Sequence, residues 1–365
     1  MLVLGLKQSH LDPCIYTLND NGRELLIGVF VDNLAVATNS DDLLYRVKSK
    51  LSSRYKLNDY GELESFLGYE ITRNLEKKEI YLKQSTYVEK ILGRFASGLS
   101  NVVSQVPLSS TVDLHQLDAS DPLAQIYNGC DYRAAVGSLL YLAGGTRPDL
   151  AHAVHMISQH CQSPRIKHWN AVVKIMKYLR GSVNIGLVLG GDISGGLTCY
   201  VDANHAGQLD CRYSEKLDLW VDGGKATTGY LFFLGKSPIS WRSKKQTRYT
   251  ATSSTEAEVI ALVDATKEAS FLSRLCEDMC RTYPKNKPVQ IYEDNTSCLK
   301  IVTRGTLSER TKHFRVDYFY VTSEMEEGKV ELSYCSTKNM LADMFTKALP
   351  RVDFTRFRNE FMSDV

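Results

Sequence analysis

The stretch "LTCYVDAN", Leu197–Asn204, decides how this chain is read. Its residues alternate with the period of a half-buried strand: Leu197, Cys199 and Val201 fall on one face, Tyr200 and Asp202 on the other. A carboxylate facing a packed interior is costly unless it is paired or holds a metal, which makes Asp202 a candidate site residue. Outward from it, "GYLFFLG" and "PISWRS" read as strands and a long helix starts near Ser254. "VQIYEDN" and "KVELSYC" then read as strands with a helix between them and another after. Three strands followed by alternating helix and strand predict a mixed five-stranded sheet with helices packed on it, an α/β arrangement.

Further acids fall where such a sheet would gather them. Asp294 ends the strand "VQIYED", and open sheets build their sites at strand ends. Asp343 opens the last helix in "NMLADMF". On the long helix the choice is between Glu256 and Glu258, which point about 200° apart. Glu258 extends the stripe Leu262, Ala265, Ala269 and Leu272, which must face the sheet. Glu256 heads the row Ile260, Val263, Lys267 and Arg274 toward solvent and suits a first-turn acid or a capping partner of Ser253. Asp202, Glu258, Asp294 and Asp343 converging on one sheet would repel one another without cations. Two Mg²⁺ (or Mn²⁺) ions about 4 Å apart would compensate them, and such a pair activates water against a phosphodiester.

The first half reads differently. "ELLIGVFVDNLAVATNS", Glu24–Ser40, predicts two apolar strands joined at Asp32-Asn33. "DLLYRVKSKLSSRY" has helical spacing, and "FLGYEITRN" and "EIYLKQ" alternate as strands. Residues 96–130 are small, polar and turn-rich, as in a linker. "DYRAAVGSLLYLAGG", "PDLAHAVHMISQHCQ" and "HWNAVVKIMKYLRGS" predict helices, with Gly144-Gly145 closing the first and Pro148 starting the next. His152, His155 and Cys161 share a helical segment but have no fourth ligand, so a structural or surface role is expected for them.

With 365 residues, 43% hydrophobic and 24% charged, the chain predicts more than one domain. No apolar run of about 18 residues and no cleavable leader is found, which predicts a cytoplasmic or nuclear protein without a membrane span. The nine cysteines are odd in number and scattered, unlike a disulfide framework or a zinc site. A net charge of +2 permits nucleic-acid binding without demanding it, so any such signal is local. The candidate is "WRSKKQTRYT", where Arg242, Lys244, Lys245 and Arg248 interleave with aromatic residues as a phosphate-binding surface would.

In order along the chain, "CYVDAN", "TTGYLFFLG", "ISWRSKKQ", "SSTEAEVIAL", "EDN", "RTKH" and "LSYCSTKNMLADMFTKAL" resemble the ribonuclease H domain of copia-type LTR retrotransposon Pol polyproteins. Upstream, "LLIGVFVDN", "FLGYEI", "YLKQSTYVEKIL", "YRAAVGSLLYLAGGTRPDLAHAV" and "HWNAVVKIMKYLRG" resemble the end of the reverse transcriptase palm and the thumb and connection of the same polyprotein. The resemblance implies a partial palm at 1–95, a linker with helical thumb and connection at 96–188, a ribonuclease H-like domain at 189–350 and a tail at 351–365. It makes Asp202, Glu258, Asp294 and Asp343 the metal ligands of an enzyme acting on RNA:DNA hybrids, and the Asn339-to-Asp343 spacing fits the last helix of cellular ribonucleases H.

The chain also departs from the family. The palm turn, Val-Asp-Asp in the family, is Val31-Asp32-Asn33 here, and the upstream strand with its aspartate is not found. This predicts no polymerase activity from the chain alone. An insertion, Cys211–Gly224, separates two hairpin strands, and His313 and Asp317 are given no catalytic role. The competing expectation is a non-catalytic retroelement remnant that at most binds nucleic acid. The oligomeric state is not legible in the sequence.

Overall fold

The computed structural model describes residues 5–98, 100–111, 114, 123, 125–129, 131–205, 211–214, 219–222, 225–247, 250–280, 283–304 and 315–364. A first sheet runs β1 (Lys7–Gln8), β2 (Ile15–Asp20), β3 (Arg23–Phe30), β4 (Asn33–Thr38), in sequence order and antiparallel throughout. Helix α1 (Asp41–Ser52) covers it. Ser40 caps this helix by accepting from the Leu43 N–H, and its buried residues Leu43, Val47 and Leu51 recur every four positions against Leu6, Leu25 and Ile27. The connection between β3 and β4 differs from expectation by one residue. Phe30 pairs with Asn33, so the turn is Val31-Asp32, and Asn33 already belongs to a strand.

A second sheet draws on distant segments. Strands β5 (Ser65–Phe66), β6 (Tyr69–Asn74) and β7 (Glu79–Lys83) form a meander, β7 pairs with β8 (Ile185–Gly190), and β8 pairs with β16 (Met362–Asp364). Sequence bounds drawn at 95, 188 and 350 are therefore bridged by backbone hydrogen bonds. Beside this sheet lie α2 (Ser85–Phe95), α3 (Tyr132–Gly145), α4 (Ala151–Ser158) and α5 (Ile166–Arg180). As expected, α3 closes at Gly145, and Pro148 opens a short 3₁₀ turn leading into α4. The described part of 96–130 packs on these helices, with Leu108 and Leu114 buried among them.

The third sheet has the order β13 (Ser237–Lys245), β12 (Thr227–Leu234), β9 (Leu197–Asn204), β14 (Val289–Glu293), β15 (Val330–Tyr334). The first three strands are antiparallel, and β14 and β15 add in parallel, giving the expected mixed five-stranded sheet. The segment between β9 and β12 contains a two-stranded hairpin, β10 (Cys211–Ser214) with β11 (Leu219–Asp222). One face of the sheet carries α6 (Ser254–Met279), with α7 (Thr296–Arg304) and α8 (Arg315–Glu326) beside it. Leu197, Cys199 and Val201 enter that core together with Leu262, Ala265, Ala269 and Leu272. The opposite face is not solvated. Leu231 and Phe233 of β12 and Phe345 of α9 (Asp343–Thr346) share one core with Leu139 of α3, Val154 of α4 and Ile175 of α5. The helical region thus forms the second layer of this sheet, and α10 (Arg351–Arg358) and β16 return the chain to the second sheet.

Candidate metal centre

Strand register builds the site. Tyr292 of β14 lies level with Tyr200 of the parallel strand β9, so continuing the register by two residues sets Asp294 beside Asp202. Helix α6 crosses this end of the sheet and brings Glu258 with it. One carboxylate oxygen from each of Asp202, Glu258 and Asp294 lies within 4.8 Å of the others, and this is the group among the described residues able to hold a metal ion. Asp343 arrives with α9, and Lys347 Nζ ties it in, 2.7 Å from Asp343 Oδ1 and 3.9 Å from Asp202 Oδ2. Thr346 donates its hydroxyl to Asp202, and Thr337 donates to Asp294 at 2.7 Å. Asn339 does not share a helix with Asp343. It ends a separate 3₁₀ turn, Thr337–Asn339, because Met340 is extended.

Close approach of α9 depends on Gly229, the residue of β12 paired with Asp202. A Cβ there would fall 2.6 Å from Thr346 Cγ2, 2.8 Å from Phe345 Cβ and 3.1 Å from the Ala342 carbonyl. No local pattern in "TTGYLFFLG" marks this role, since the contact is made across more than a hundred residues of chain.

The electrostatics are those of a site that wants cations. Burial raises the Asp202 carboxyl above its usual range, and Asp294 adds to this against the pull of Lys347 and the Thr346 hydrogen bond. Burial, with Asp202 second, pushes Asp343 up to about 7. Glu258 rises to about 11, through burial first and then the charges of Glu293, Asp202 and Asp294. Glu258 Oε2 is buried without a hydrogen-bond partner, an orphaned polar atom on a residue of the acid cluster. Carboxylate oxygens at this spacing, with one lone pair unsatisfied, fit a hard divalent cation such as Mg²⁺ or Mn²⁺.

Glu293 was not singled out in the sequence, yet it is fully buried and its proton affinity is raised well above normal, chiefly by burial. Strand alternation carries the signal: Val289, Ile291 and Glu293 share the inward face of β14. Its Oε1 accepts from the Asn295 N–H at 3.0 Å, while Oε2 is unpartnered. Glu256 behaves as a cap, since its N–H donates to Ser253 Oγ and its carboxylate accepts from the Thr252 N–H and hydroxyl at 2.6 and 2.7 Å. Its row does not drift to solvent as expected. Glu256, Ile260 and Val263 are buried, α8 packs on α6, and exposure begins at Lys267.

The basic run divides across β13. Trp241 donates Nε1–H to the Ala143 carbonyl of α3, and Lys245 on the same side reaches Gln159 at 3.4 Å. Arg242 bonds Tyr230, which belongs to the α6-side core, and Lys244 follows it in the alternation. Arg248, His313 and the Asp317 side chain lie outside the described residues. Asp32 and Asn33 are exposed, and no metal-capable group among the described residues includes Asp32. Cys14, Cys161, Cys199, Cys276, Cys298 and Cys335 are free thiols. His152 is buried, which lowers its pKa to about 3, consistent with a structural residue. No helix among the described residues is long and apolar enough to cross a membrane.

Residues 1–109 match the reverse transcriptase (RNA-dependent DNA polymerase) family. The chain is 32% identical over 351 residues to the retrovirus-related Pol polyprotein from transposon TNT 1-94 of Nicotiana tabacum, covering 95% of this chain and 25% of that protein. To the corresponding polyprotein from transposon RE1 of Arabidopsis thaliana it is 30% identical over 366 residues, covering 99% and 23%. Among solved structures, LC11-RNase H1 isolated from compost is 16% identical at a TM-score of 0.30, over 41% of this chain and 91% of that one. The chain spans about a quarter of the length of these two polyproteins. With that similarity running along nearly all of its residues, the chain belongs to the copia-type retrotransposon Pol polyprotein family.

Proposed function

We propose that residues 189–350 form a ribonuclease H that hydrolyses the RNA strand of RNA:DNA hybrids, with Asp202, Glu258, Asp294 and Asp343 holding two Mg²⁺ or Mn²⁺ ions. The observation that carries this reading is the convergence of Asp202, Glu258 and Asp294 within 4.8 Å, with a buried, unpartnered oxygen on Glu258. Bound cations would supply activation of a water and stabilisation of the leaving 3′ oxygen. The chain's own contribution is placement. Asp202 on β9 and Asp294, just past the end of the adjacent parallel strand β14, would anchor the ions. Glu258 would complete one side and stand nearest the 2′-hydroxyl by which RNA is told from DNA. Asp343, steadied by Lys347, would complete the other side. Thr346 and Thr337 fix the rotamers of Asp202 and Asp294.

The test is Mg²⁺-dependent cleavage of an RNA:DNA hybrid by the full chain and by Asp202→Asn, with cleavage expected from the first and abolished in the second. Undiminished cleavage by the variant sinks the assignment. A second reading, a non-catalytic remnant that binds nucleic acid, is favoured for the N-terminal half by the exposed Asp32-Asn33 pair, where the family carries two aspartates. Hybrid binding by the wild-type chain without cleavage in either Mg²⁺ or Mn²⁺ would extend that reading to the whole chain.

A further inference from the structure

Gln246 follows the end of β13 and is only 4% exposed. Its backbone N–H donates to the Ala226 carbonyl at 2.8 Å, which pins the residue beside the start of β12. Its side-chain amide nitrogen donates twice, to the Thr228 hydroxyl at 3.1 Å and to the Ala257 carbonyl at 2.8 Å. Thr228 lies on β12, paired with Ala203 of β9 and next to Gly229, the partner of Asp202. Ala257 lies near the start of α6, next to Glu258. The ring closes through the acid itself, because the Ala203 backbone amide sits at the Glu258 carboxylate and favours its charged form. A carbonyl inside a helix already has an N–H four residues on, so the second donor to Ala257 is not needed to satisfy the backbone. Nor does the amide meet its own needs, since Gln246 Oε1 is buried without a partner. An apolar side chain of the same length would fill the space without that orphan. What the amide adds is direction: it ties the strand that borders Asp202 to the helix turn that carries Glu258.

We propose that Gln246 is a positioning residue for the candidate metal centre, fixing the reach of Glu258 toward Asp202 by bracing α6 against β12. That the acids so placed hold cations rests on the ribonuclease H reading; that Gln246 sets where Glu258 stands rests on the hydrogen bonds. The experiment titrates Mn²⁺ into the full chain by calorimetry, comparing wild type, Gln246→Met and Ser240→Ala. Methionine keeps the length of the side chain and removes both donors together with the orphaned oxygen. Ser240 donates to Glu268 Oε1 at 2.7 Å, so its loss also cuts a bond between β13 and α6, but one well beyond Glu258 along the helix. Gln246→Met is expected to bind Mn²⁺ about tenfold more weakly, and Ser240→Ala to bind it as wild type. Equal affinity in wild type and Gln246→Met overturns the proposal, and so does an equal loss in Ser240→Ala, which would make the brace one of general packing. Should Gln246→Met lose its thermal transition, Thr228→Val, which removes one of the two anchors, decides in the same way.

Thermal denaturation in EDTA separates this proposal from the one it rests on. The change in Tm caused by Glu258→Gln should differ by about 2 °C or more between the wild-type and Gln246→Met backgrounds, because substitutions within one hydrogen-bonded network do not add. A wild-type chain that shows this coupling but binds no Mn²⁺ supports the brace and sinks the metal reading. A wild-type chain that binds Mn²⁺, with no coupling and no loss of affinity in Gln246→Met, sinks the brace alone.

Discussion

Two aspartates, Asp32 in a hairpin turn and Asp202 on a strand, sit in similar sequence, "FVDN" and "YVDAN", and the molecule treats them in opposite ways. Asp32 occupies an exposed hairpin turn, where its Oδ1 accepts from the adjacent Asn33 side-chain amide at 3.4 Å. Asp202 is 4% exposed, flanked by a parallel strand that leads into Asp294, crossed by the helix carrying Glu258 and closed over by α9. The difference teaches that a carboxylate on a strand is not a site by itself. What makes one is a second layer that desolvates it, together with other acids that make the desolvation intolerable without cations.

The largest expected effect breaks the comparison if it fails. Glu258→Gln should lower hybrid cleavage by on the order of a thousandfold, as loss of a group essential to electrostatic catalysis does, while Asp32→Asn should leave it unchanged. Initial rates in Mg²⁺ for the two variants read this directly. Equal losses would mean that the two aspartate regions serve one site, and equal indifference would remove the acid cluster from the chemistry.

The same Glu258→Gln variant carries a second, smaller effect of opposite sign. In the metal-free protein the Glu258 carboxyl has its proton affinity raised to about 11, so it stays protonated where the unfolded chain would release that proton. A folded pKa above the unfolded value means that the folded state binds more protons between the two, and stability falls as pH rises through that window. The window opens near pH 4.5 and Asp343, raised to about 7, adds to it up to neutrality. Glutamine is neutral at every pH and escapes the cost, so the metal-free variant should be more stable at pH 7, by roughly 1–3 kcal/mol. Chemical denaturation in EDTA at pH 5 and pH 7.5 measures it, with the advantage growing toward the higher pH. Mg²⁺ should likewise raise the wild-type Tm more at pH 7.5 than at pH 5, since binding competes with those protons. A destabilised variant would show that Glu258 is held as a structural hydrogen-bonding group instead.

How much of this contrast could be read in advance follows from the range of the interactions. Asp202 and Glu258 could be singled out because strand alternation and helical geometry are local; the stripe Leu262, Ala265, Ala269 and Leu272 is buried, but Ile260 and Val263 of the rival row are buried with it. Glu293 was legible by the same alternation, but an acid at an inward position invites being read past. The partners of β8 were not legible. Its pairing with β7 and with β16 joins segments about a hundred and nearly two hundred residues apart, and nothing in "IGLVLG" specifies which edges it will meet. Nor was the burial of Ile260 and Val263, which depends on α8 lying against α6.

Gly229 tests whether the enclosure of Asp202 can be loosened without touching a carboxylate. Gly229→Ala places a methyl group inside contact distance of Thr346, Phe345 and the Ala342 carbonyl. Because one of these is backbone, α9 must shift, at an expected cost of about 1–3 kcal/mol. Hybrid cleavage should fall with it, because Asp343 and the Thr346 hydroxyl move together away from Asp202. Unchanged stability and activity would show that α9 is free to give way and that its approach to β12 is not what encloses the site.

The smallest effect is expected at the exposed aspartate. Val31 begins the β3–β4 turn with φ of 54°, a left-handed conformation that a β-branched residue adopts only under strain. At 85% exposure its side chain recovers little by packing, so Val31→Gly should relieve more backbone strain than it loses in contact. Against this, glycine loses more chain entropy on folding, which leaves a net gain of about 1 kcal/mol or less. A rise in the denaturation midpoint of that size, with hybrid cleavage unchanged, would identify the hairpin as a place where strain is kept without enclosure. A loss of stability would instead mean that the valine is held by contacts beyond its own hairpin, and the two aspartates would then differ less than their surroundings indicate.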